Sequence, residues 1–279
     1  MASVRYTYRT FSREIILVAI GITWWIPFYL LVVVALTPSN KVFNTPGGIP
    51  SHLNFKSFST AWNGSGGVSL GRSLINSLEI TIGTVFLLIG MGSACAYTIG
   101  RRPGRLGGLL YVFFVLGIIL PYQLAVVPSF VFLRTVGLVP SQLGLIVLYT
   151  GLLMPLTVFM YTSFVRALPR DYEEAARVDG ARPVRVFIRV VFPQLKPITA
   201  TTAILTGLMI WNDFFLQLIF LNGSGRETLP VEIYSFVGEF TTQWNLVFAA
   251  VIVALIPALL FFLLAQRQIV RGFGGGIKG

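Results

Sequence analysis

Six long apolar runs constrain this chain more than any other feature of its sequence. They cover residues 15–37, 75–99, 108–132, 142–164, 198–221 and 246–265. About 20 consecutive apolar residues are enough for a helix to cross the hydrocarbon core of a bilayer. Only 11% of the 279 residues are charged, whereas a soluble domain carries roughly 25%. The sequence therefore predicts an all-α, polytopic membrane protein with six transmembrane helices in a domain of residues 15–265.

The distribution of basic residues predicts the orientation of the chain in the lipid bilayer. If the N-terminus is cytoplasmic, 16 of the 21 Lys and Arg residues fall in the inner segments. Those segments are residues 1–14, 100–107, 165–197 and 266–279. Because cytoplasmic loops are enriched in Lys and Arg, we expect residues 1–14 to be a cytoplasmic N-terminus and residues 266–279 a cytoplasmic tail.

The rarity of reactive side chains argues against several functions. The chain has one cysteine, Cys95, and one histidine, His52, so neither an internal disulfide nor a Cys/His zinc site is expected. The phosphate-binding pattern G-x-x-x-x-G-K-[ST] does not occur. We therefore predict that the chain is not an enzyme and binds no metal or cofactor. If ATP drives its function, the ATPase is a separate polypeptide.

A few polar side chains fall within the predicted spans. Asp213 lies in the fifth run with Asn212 beside it, and Glu79 and Gln123 lie in the second and third. Carboxylates inside a membrane are costly and mark either functional pathways or paired groups. These side chains line a hydrophilic path for a polar solute, or they hold helices together through hydrogen bonds. The sequence leaves both interpretations open.

Proline residues interrupt the third, fourth and sixth runs. Pro121, Pro128, Pro155 and Pro257 each remove a backbone hydrogen bond and allow a kink. Kinked helices suit a gated pathway, and they also occur in bundles without one.

The most polar segment, residues 168–193, connects the fourth and fifth runs. It predicts a short helix, a break and a second helix. Asp171 is placed to cap the first helix, and the acidic residues after it favour a helix N-terminus. Gly180 suits the left-handed residue that closes a helix, and Pro183 suits the first position of the next one. On these features alone, a solvated loop is as good an interpretation as a functional element.

The same segment resembles the signature of bacterial ABC importer permeases. Glu174-Ala175-Ala176, then Gly180 and Val191-Phe192-Pro193, is similar to the family's EAA…G…I-x-L-P loop. Further similarity, to the carbohydrate-uptake permeases of the maltose-type group, is found in Asn76-Ser77-Leu78, Ala96-Tyr97, Trp211-Asn212-Asp213, Thr228-Leu229-Pro230 and the Gly-rich C-terminal tail.

This resemblance implies the permease subunit of an ATP-driven, binding-protein-dependent sugar importer, expected to carry an oligosaccharide, in the bacterial plasma (inner) membrane. The implied partners are a second homologous permease, two ATPase subunits that bind ATP and Mg, an extracytoplasmic solute-binding protein and the sugar. No nucleic-acid partner is expected.

The resemblance also implies roles for particular residues. The segment 168–193 would contain a coupling helix docked in a cleft of the ATPase, through Glu173, Glu174, Ala175, Ala176, Asp179, Gly180 and Pro193. Residues 222–232 would form an outer loop that faces the binding protein, with contacts from Asn222, Gly223, Arg226 and Thr228. The Gly-rich tail would touch the ATPase pair. Because the partner permease often holds the sugar in this family, the polar residues within the spans keep a pathway or interhelical assignment.

Two alternatives stay open at this point. The first is a permease of the same architecture for another solute, such as glycerol phosphate or an amino sugar. The second is an ion- or proton-coupled secondary transporter, which commonly shows internal repeats; none is visible in the sequence.

Overall fold

The computed structural model describes residues 8–43, 47–48, 50, 53–64, 68–102, 104–238 and 242–274, without the side chains of residues 9, 261 and 264–274. The regular structure in this part of the chain is helical, and it contains no strand apart from a single bridge between Val237 and Thr242. The predicted all-α fold is confirmed. His52 and residues 275–279 of the tail lie outside the described residues.

The chain divides into two compact units. The first comprises Met1–Leu70 and Ile233–Leu255. It contains α1 (Tyr8–Ala35), a 3-10 turn (Ser39–Lys41), α2 (Lys56–Asn63) and the beginning of the last helix. The buried Asn245 amide joins the last helix to the 3-10 turn and to α2, because it donates to Ser57 Oγ at 3.0 Å and accepts from Ser39 Oγ at 2.8 Å.

The second unit comprises Gly71–Glu232 and Ile256–Gly279 and holds most of the helices. In chain order these are α3 (Leu70–Arg101, with a π-helical turn at Leu88–Gly92), α4 (Arg105–Ile119), α5 (Gln123–Thr135), α6 (Gln142–Ala167), α7 (Asp171–Val178), α8 (Pro183–Val186, continued by a π-helical turn at Phe187–Val191 and by Phe192–Gln194), α9 (Lys196–Asn212) and α10 (Phe215–Leu221). α11 (Leu229–Ser235) and α12 (Trp244–Gly274) each run from one unit into the other.

In the part of the chain that the structure describes, three helices are long and apolar enough to cross a membrane, within Thr10–Ala35, Leu70–Arg101 and Gln142–Ala167. They coincide with the first, second and fourth predicted spans. The third and fifth predicted spans are each a bent pair: α4 and α5 meet at 100°, and α9 and α10 at 61°. In the described residues, the apolar part of the last helix is the shorter stretch Trp244–Leu260. The count of six spans therefore stays a prediction.

The two bends have different causes. Pro121 lies in the break between α4 and α5, and Leu120 before it is extended, with φ −68° and ψ 128°, as a residue preceding proline tends to be. Asp213 makes the second break with φ −73° and ψ 126°, and its carboxylate accepts the Phe215 N–H at 3.2 Å. Prolines 128, 155 and 257 lie within helices.

Two buried apolar clusters are found among the described residues of the second unit. One joins α3, α5, α6, α9 and α10, with Ile80, Leu145 and Phe220 at its centre. The other, here called the loop-end cluster, consists of Ala96, Ile99, Val158, Tyr161, Val165, Val186, Val191 and Leu195. It packs the end of α3 and the end of α6 against α8. The polar segment after α6 is thus seated on a core of its own.

Small residues let α3 approach α6 closely. A Cβ atom at Gly92, in the π-helical turn of α3, would collide with the methyl group of Thr157, and one at Gly100 would lie 2.9 Å from a methyl carbon of Val165. Such contacts between small residues are a common way to pack helices inside a membrane.

Candidate functional site

The polar segment folds as the sequence predicts, with one correction. α7 runs from Asp171 to Val178, and Arg170 is the residue that precedes it. Asp171 is therefore the first residue inside the helix, and among the described residues no side chain caps it. The predicted Asp171 cap is wrong because the Arg170 carbonyl already accepts the N–H groups of Glu173 and Glu174, at 2.9 and 3.0 Å. The acidic first turn still favours the positive end of the helix dipole.

The end of α7 is a complete Schellman motif. Gly180 has φ +79°. Its N–H donates to the Arg177 carbonyl at 3.0 Å, and the Ala181 N–H donates to the Ala176 carbonyl at 3.0 Å. These are the two bonds that define the motif. Pro183 then occupies the first turn of α8. The predictions for Gly180 and Pro183 are confirmed.

Glu173 is turned toward its own chain and is only 4% exposed. Its Oε1 accepts from Arg101 Nε at 2.7 Å, and Arg101 Nη2 also donates to the Leu168 carbonyl at 3.0 Å. The other oxygen accepts from the Tyr97 hydroxyl at 2.8 Å and lies 3.7 Å from Arg177 Nη2. Glu173 therefore joins α7 to the end of α3.

The remaining predicted coupling residues divide between two surfaces. Ala176 is half-buried and packs on the loop-end cluster. The exposed members are Glu174, Ala175, Asp179, Gly180 and Pro193. Val178, beside them, is an apolar side chain that is 88% exposed. The outward surface of α7 thus includes the acidic Glu174, the small Ala175 and the apolar Val178, in a helix that is fixed from its other side.

Asp213 makes an interhelical pair, although not with its neighbour. Its Oδ2 accepts from the Tyr149 hydroxyl of α6 at 2.5 Å. The Asn212 amide donates instead to the Leu208 carbonyl of its own helix, at 2.8 Å. Asp213 and Tyr149 also line a cavity of about 230 Å³, together with Tyr122. This placement is consistent with both interpretations of Asp213, a pathway residue and a link between helices.

The other two candidate pathway residues lie at the surface of the second unit. Glu79 is exposed on α3, and Gln123 is the exposed first residue of α5.

The loop after α10 contains both exposed and buried members of the predicted binding-protein surface. Asn222, Gly223 and Arg226 are exposed, and Gly223 has φ +72°. Thr228 is 0% exposed and donates its hydroxyl hydrogen bond to Gln217 Oε1. Three of the four residues are thus available to a partner, whereas Thr228 anchors the loop.

Polar side chains near the beginnings of α3 and α6 hold this loop in place. The Asn76 amide donates to the Glu227 carbonyl at 2.9 Å and accepts from Gln142 Nε2 at 2.9 Å. Ser77 Oγ accepts the Leu229 N–H at 2.9 Å. Asn76 and Ser77 were indicated in the sequence only by a resemblance, and Gln142 was not predicted. Its position at the start of an apolar run was the available signal.

Comparison with known proteins shows which family and which relatives this sequence matches. The family described as "Binding-protein-dependent transport system inner membrane component" matches residues 87–274. The melibiose/raffinose/stachyose import permease protein MelC of Bacillus subtilis (strain 168) is 36% identical over 276 residues, which cover 97% of this chain and 99% of that protein. The probable starch degradation products transport system permease protein AmyC of Thermoanaerobacterium thermosulfurigenes is 29% identical and covers 94% of each chain.

A solved structure shares the fold. It is the crystal structure of a bacterial ABC transporter involved in the import of the acidic polysaccharide alginate, with a TM-score of 0.81 and 16% identity. The match covers 95% of this chain and 99% of the other.

Proposed function

The chain belongs to the family of binding-protein-dependent transport system inner membrane components, and on this basis we propose that it is the permease subunit of an ATP-driven sugar importer. The observation that carries the proposal is its similarity to the MelC permease, at 36% identity over nearly the full length of both chains. The solute that follows from this relative is a di- or oligosaccharide of the kind that its name states: melibiose, raffinose or stachyose.

The proposed assembly contains more than this chain. A second permease completes the pathway, two ATPase subunits bind ATP and Mg on the cytoplasmic side, and an extracytoplasmic binding protein delivers the sugar. The exposed residues Asn222, Gly223 and Arg226 face that binding protein. The basic inner segments support this orientation, since 16 of 21 Lys and Arg residues then lie in the cytoplasm with both termini.

The outward surface of α7 is the proposed contact with the ATPase. Glu174 is exposed at the first turn of α7, where its carboxylate is available to a basic residue of a partner. The small Ala175 beside it allows close approach. Movement of the ATPase subunits on binding ATP would displace α7, and the permease would pass from its inward-facing to its outward-facing state as a shift in population.

Reconstitution of the complex tests this function. The tagged chain is purified from its native membranes with its associated subunits and placed in liposomes that contain ATP and Mg. We expect uptake of labelled melibiose, raffinose or stachyose that requires both ATP and the binding protein. Uptake by this chain alone, without ATP, would refute the proposal and favour a secondary transporter.

Substitution at Glu174 tests the contact itself. Glu174→Lys reverses the charge of an exposed side chain, so the fold should be preserved while the ATPase no longer co-purifies. Arg102→Met is a matched control, because it changes an exposed charge at the end of α3, outside α7. Normal uptake and normal ATPase recovery in Glu174→Lys would contradict the assigned contact.

A further inference from the structure

Three helix ends meet at Arg101. It lies in the last turn of α3, and its guanidinium contacts both Glu173 in the first turn of α7 and the carbonyl of Leu168, the residue that follows α6. A single side chain therefore connects the ends of two long, apolar helices with the beginning of the short helix that carries Glu174.

The charges match the helix ends on which they lie. The C-terminal ends of α3 and α6 carry unpaired carbonyl groups and partial negative charge, which favour the Arg101 cation. The N-terminal end of α7 carries partial positive charge, which favours the Glu173 carboxylate. Exchanging the two charges would place a cation at the positive end of α7 and an anion at the negative ends of α3 and α6, which would weaken the connection. The charges therefore favour one arrangement of the three helices.

The pair is also enclosed. The side chains of Arg101 and Glu173 are 11% and 5% exposed. The Tyr97 hydroxyl occupies the second carboxylate oxygen at 2.8 Å, and the Tyr97 ring lies 5.2 Å from that of Phe187 in α8. An exposed ion pair would break easily when α7 moves, because water competes for both charges. A shielded pair with several hydrogen bonds keeps its geometry.

We propose that Arg101, Glu173 and Tyr97 form a transmission joint, which makes α3 and the end of α6 follow α7 when the ATPase moves it. These are positioning residues, since they act on the transported sugar only through the helices. The two adjacent glutamates then have separate roles: Glu174 contacts the ATPase, and Glu173 passes its movement into the membrane. This inference rests on the function proposed above.

Uptake per ATP hydrolysed is the main measurement, made on reconstituted complexes of equal subunit content. Glu173→Gln and Arg101→Met should leave the ATPase bound and active, while the sugar taken up per ATP hydrolysed falls by about 2- to 30-fold. The double variant Arg101→Met with Glu173→Gln removes both buried charges together, so it should recover thermal stability but not uptake per ATP. Arg102→Met should match the wild type in both respects.

A second measurement follows the joint without reference to transport. Spin labels on Ala94→Cys in α3 and Asp171→Cys in α7, both exposed positions, are introduced with Cys95→Ser. In the wild type the distance between the labels should stay narrow and unchanged when ATP and Mg are added. In Arg101→Met its distribution should broaden and shift, because α7 then moves without α3.

The outcomes separate this inference from the proposed function. A wild-type complex without ATP-dependent uptake of the three sugars would overturn the proposed function, and the spin-label distances would still decide the joint. Wild-type uptake per ATP in both single variants would overturn the joint alone. Recovery of uptake per ATP in the double variant would also overturn it, because the pair would then serve stability only.

Discussion

Gly180 offers the sharpest single test of the polar segment, because its conformation and its hydrogen bonds are both defined. Its φ of +79° lies in the left-handed region, and within the described part of the chain a Cβ atom there would meet nothing within 4 Å. Gly180→Ala therefore adds backbone strain without a steric clash. The left-handed conformation costs an alanine about 1–2 kcal/mol.

That cost is comparable with the free energy that keeps the C-terminal end of α7 in its closed conformation. The two bonds of the Schellman motif, to the carbonyls of Arg177 and Ala176, contribute about 1 kcal/mol each. Strain from Gly180→Ala thus offsets most of their contribution, so a large fraction of molecules would have an open α7 terminus. For 1–2 kcal/mol of strain the equilibrium constant for closing falls about 5- to 30-fold, from about 30 to between about 6 and 1. If only the closed form docks, the apparent affinity for the ATPase falls by the same factor as the closed population, which is at most about twofold.

The assay is titration of the purified ATPase onto the reconstituted permease, followed by sugar uptake. Gly180→Asn should bind more tightly than Gly180→Ala, because asparagine tolerates the left-handed region. Gly137→Ala is the matched control: its φ is +75°, its Cβ position is equally open, and it lies in the turn after α5. Unchanged affinity in Gly180→Ala, or an equal loss in Gly137→Ala, would contradict the claim that the ATPase docks only on α7 with its end closed at Gly180.

Two further predictions concern buried polar contacts, and both are measured as thermal unfolding of the purified protein in detergent. Asp213→Ala should destabilise the protein by about 1–3 kcal/mol, because the hydroxyl of the buried Tyr149 loses its acceptor. Asp213→Asn keeps an acceptor oxygen and should behave like the wild type; equal losses would show that the carboxylate charge is what matters. Thr228→Val should cost about 1–3 kcal/mol, since the buried Gln217 oxygen loses its donor, while Arg226→Ala on the exposed part of the same loop should have no effect. A stable Thr228→Val variant would contradict the anchoring role.

Features set by local chemistry were predictable from the sequence. The all-α fold follows from the apolar runs, and the closure at Gly180 and restart at Pro183 follow from the backbone preferences of those two residues. The sharp bend at Pro121 likewise follows from a missing N–H. The bend at Asp213 was not predicted, because hydropathy reports composition, and the run that contains Asp213 has no proline or glycine at the break to indicate that the helix stops there.

Contacts between distant residues were beyond the sequence. Arg101 and Glu173 are separated by 72 positions. Each has charged neighbours that, from the sequence alone, were equally good candidates for an ion pair. Only the packing of α3 against α6, which requires the close approach at Gly92 and Gly100, brings the end of α3 to the beginning of α7. The same reasoning explains why Tyr149 could not be identified as the partner of Asp213.

Helix geometry explains why adjacent glutamates have different surroundings. Consecutive residues of an α-helix point about 100° apart, so Glu173 and Glu174 cannot both face α3. Glu173 shares the inward face with Ala176, three positions on, and Glu174 shares the outward face with Val178, four positions on. A helix of eight residues is marginal by itself in water. The packing of Ala176 on the loop-end cluster and the closing hydrogen bonds at Gly180 therefore help to maintain this helix, and Glu173 connects it to α3. On the roles proposed above, substitutions at Glu174 should change recognition of the ATPase, whereas those at Glu173 should change the connection of α7 to α3. The double variant, which removes both charges of that connection together, is the informative one because it separates the connection from stability.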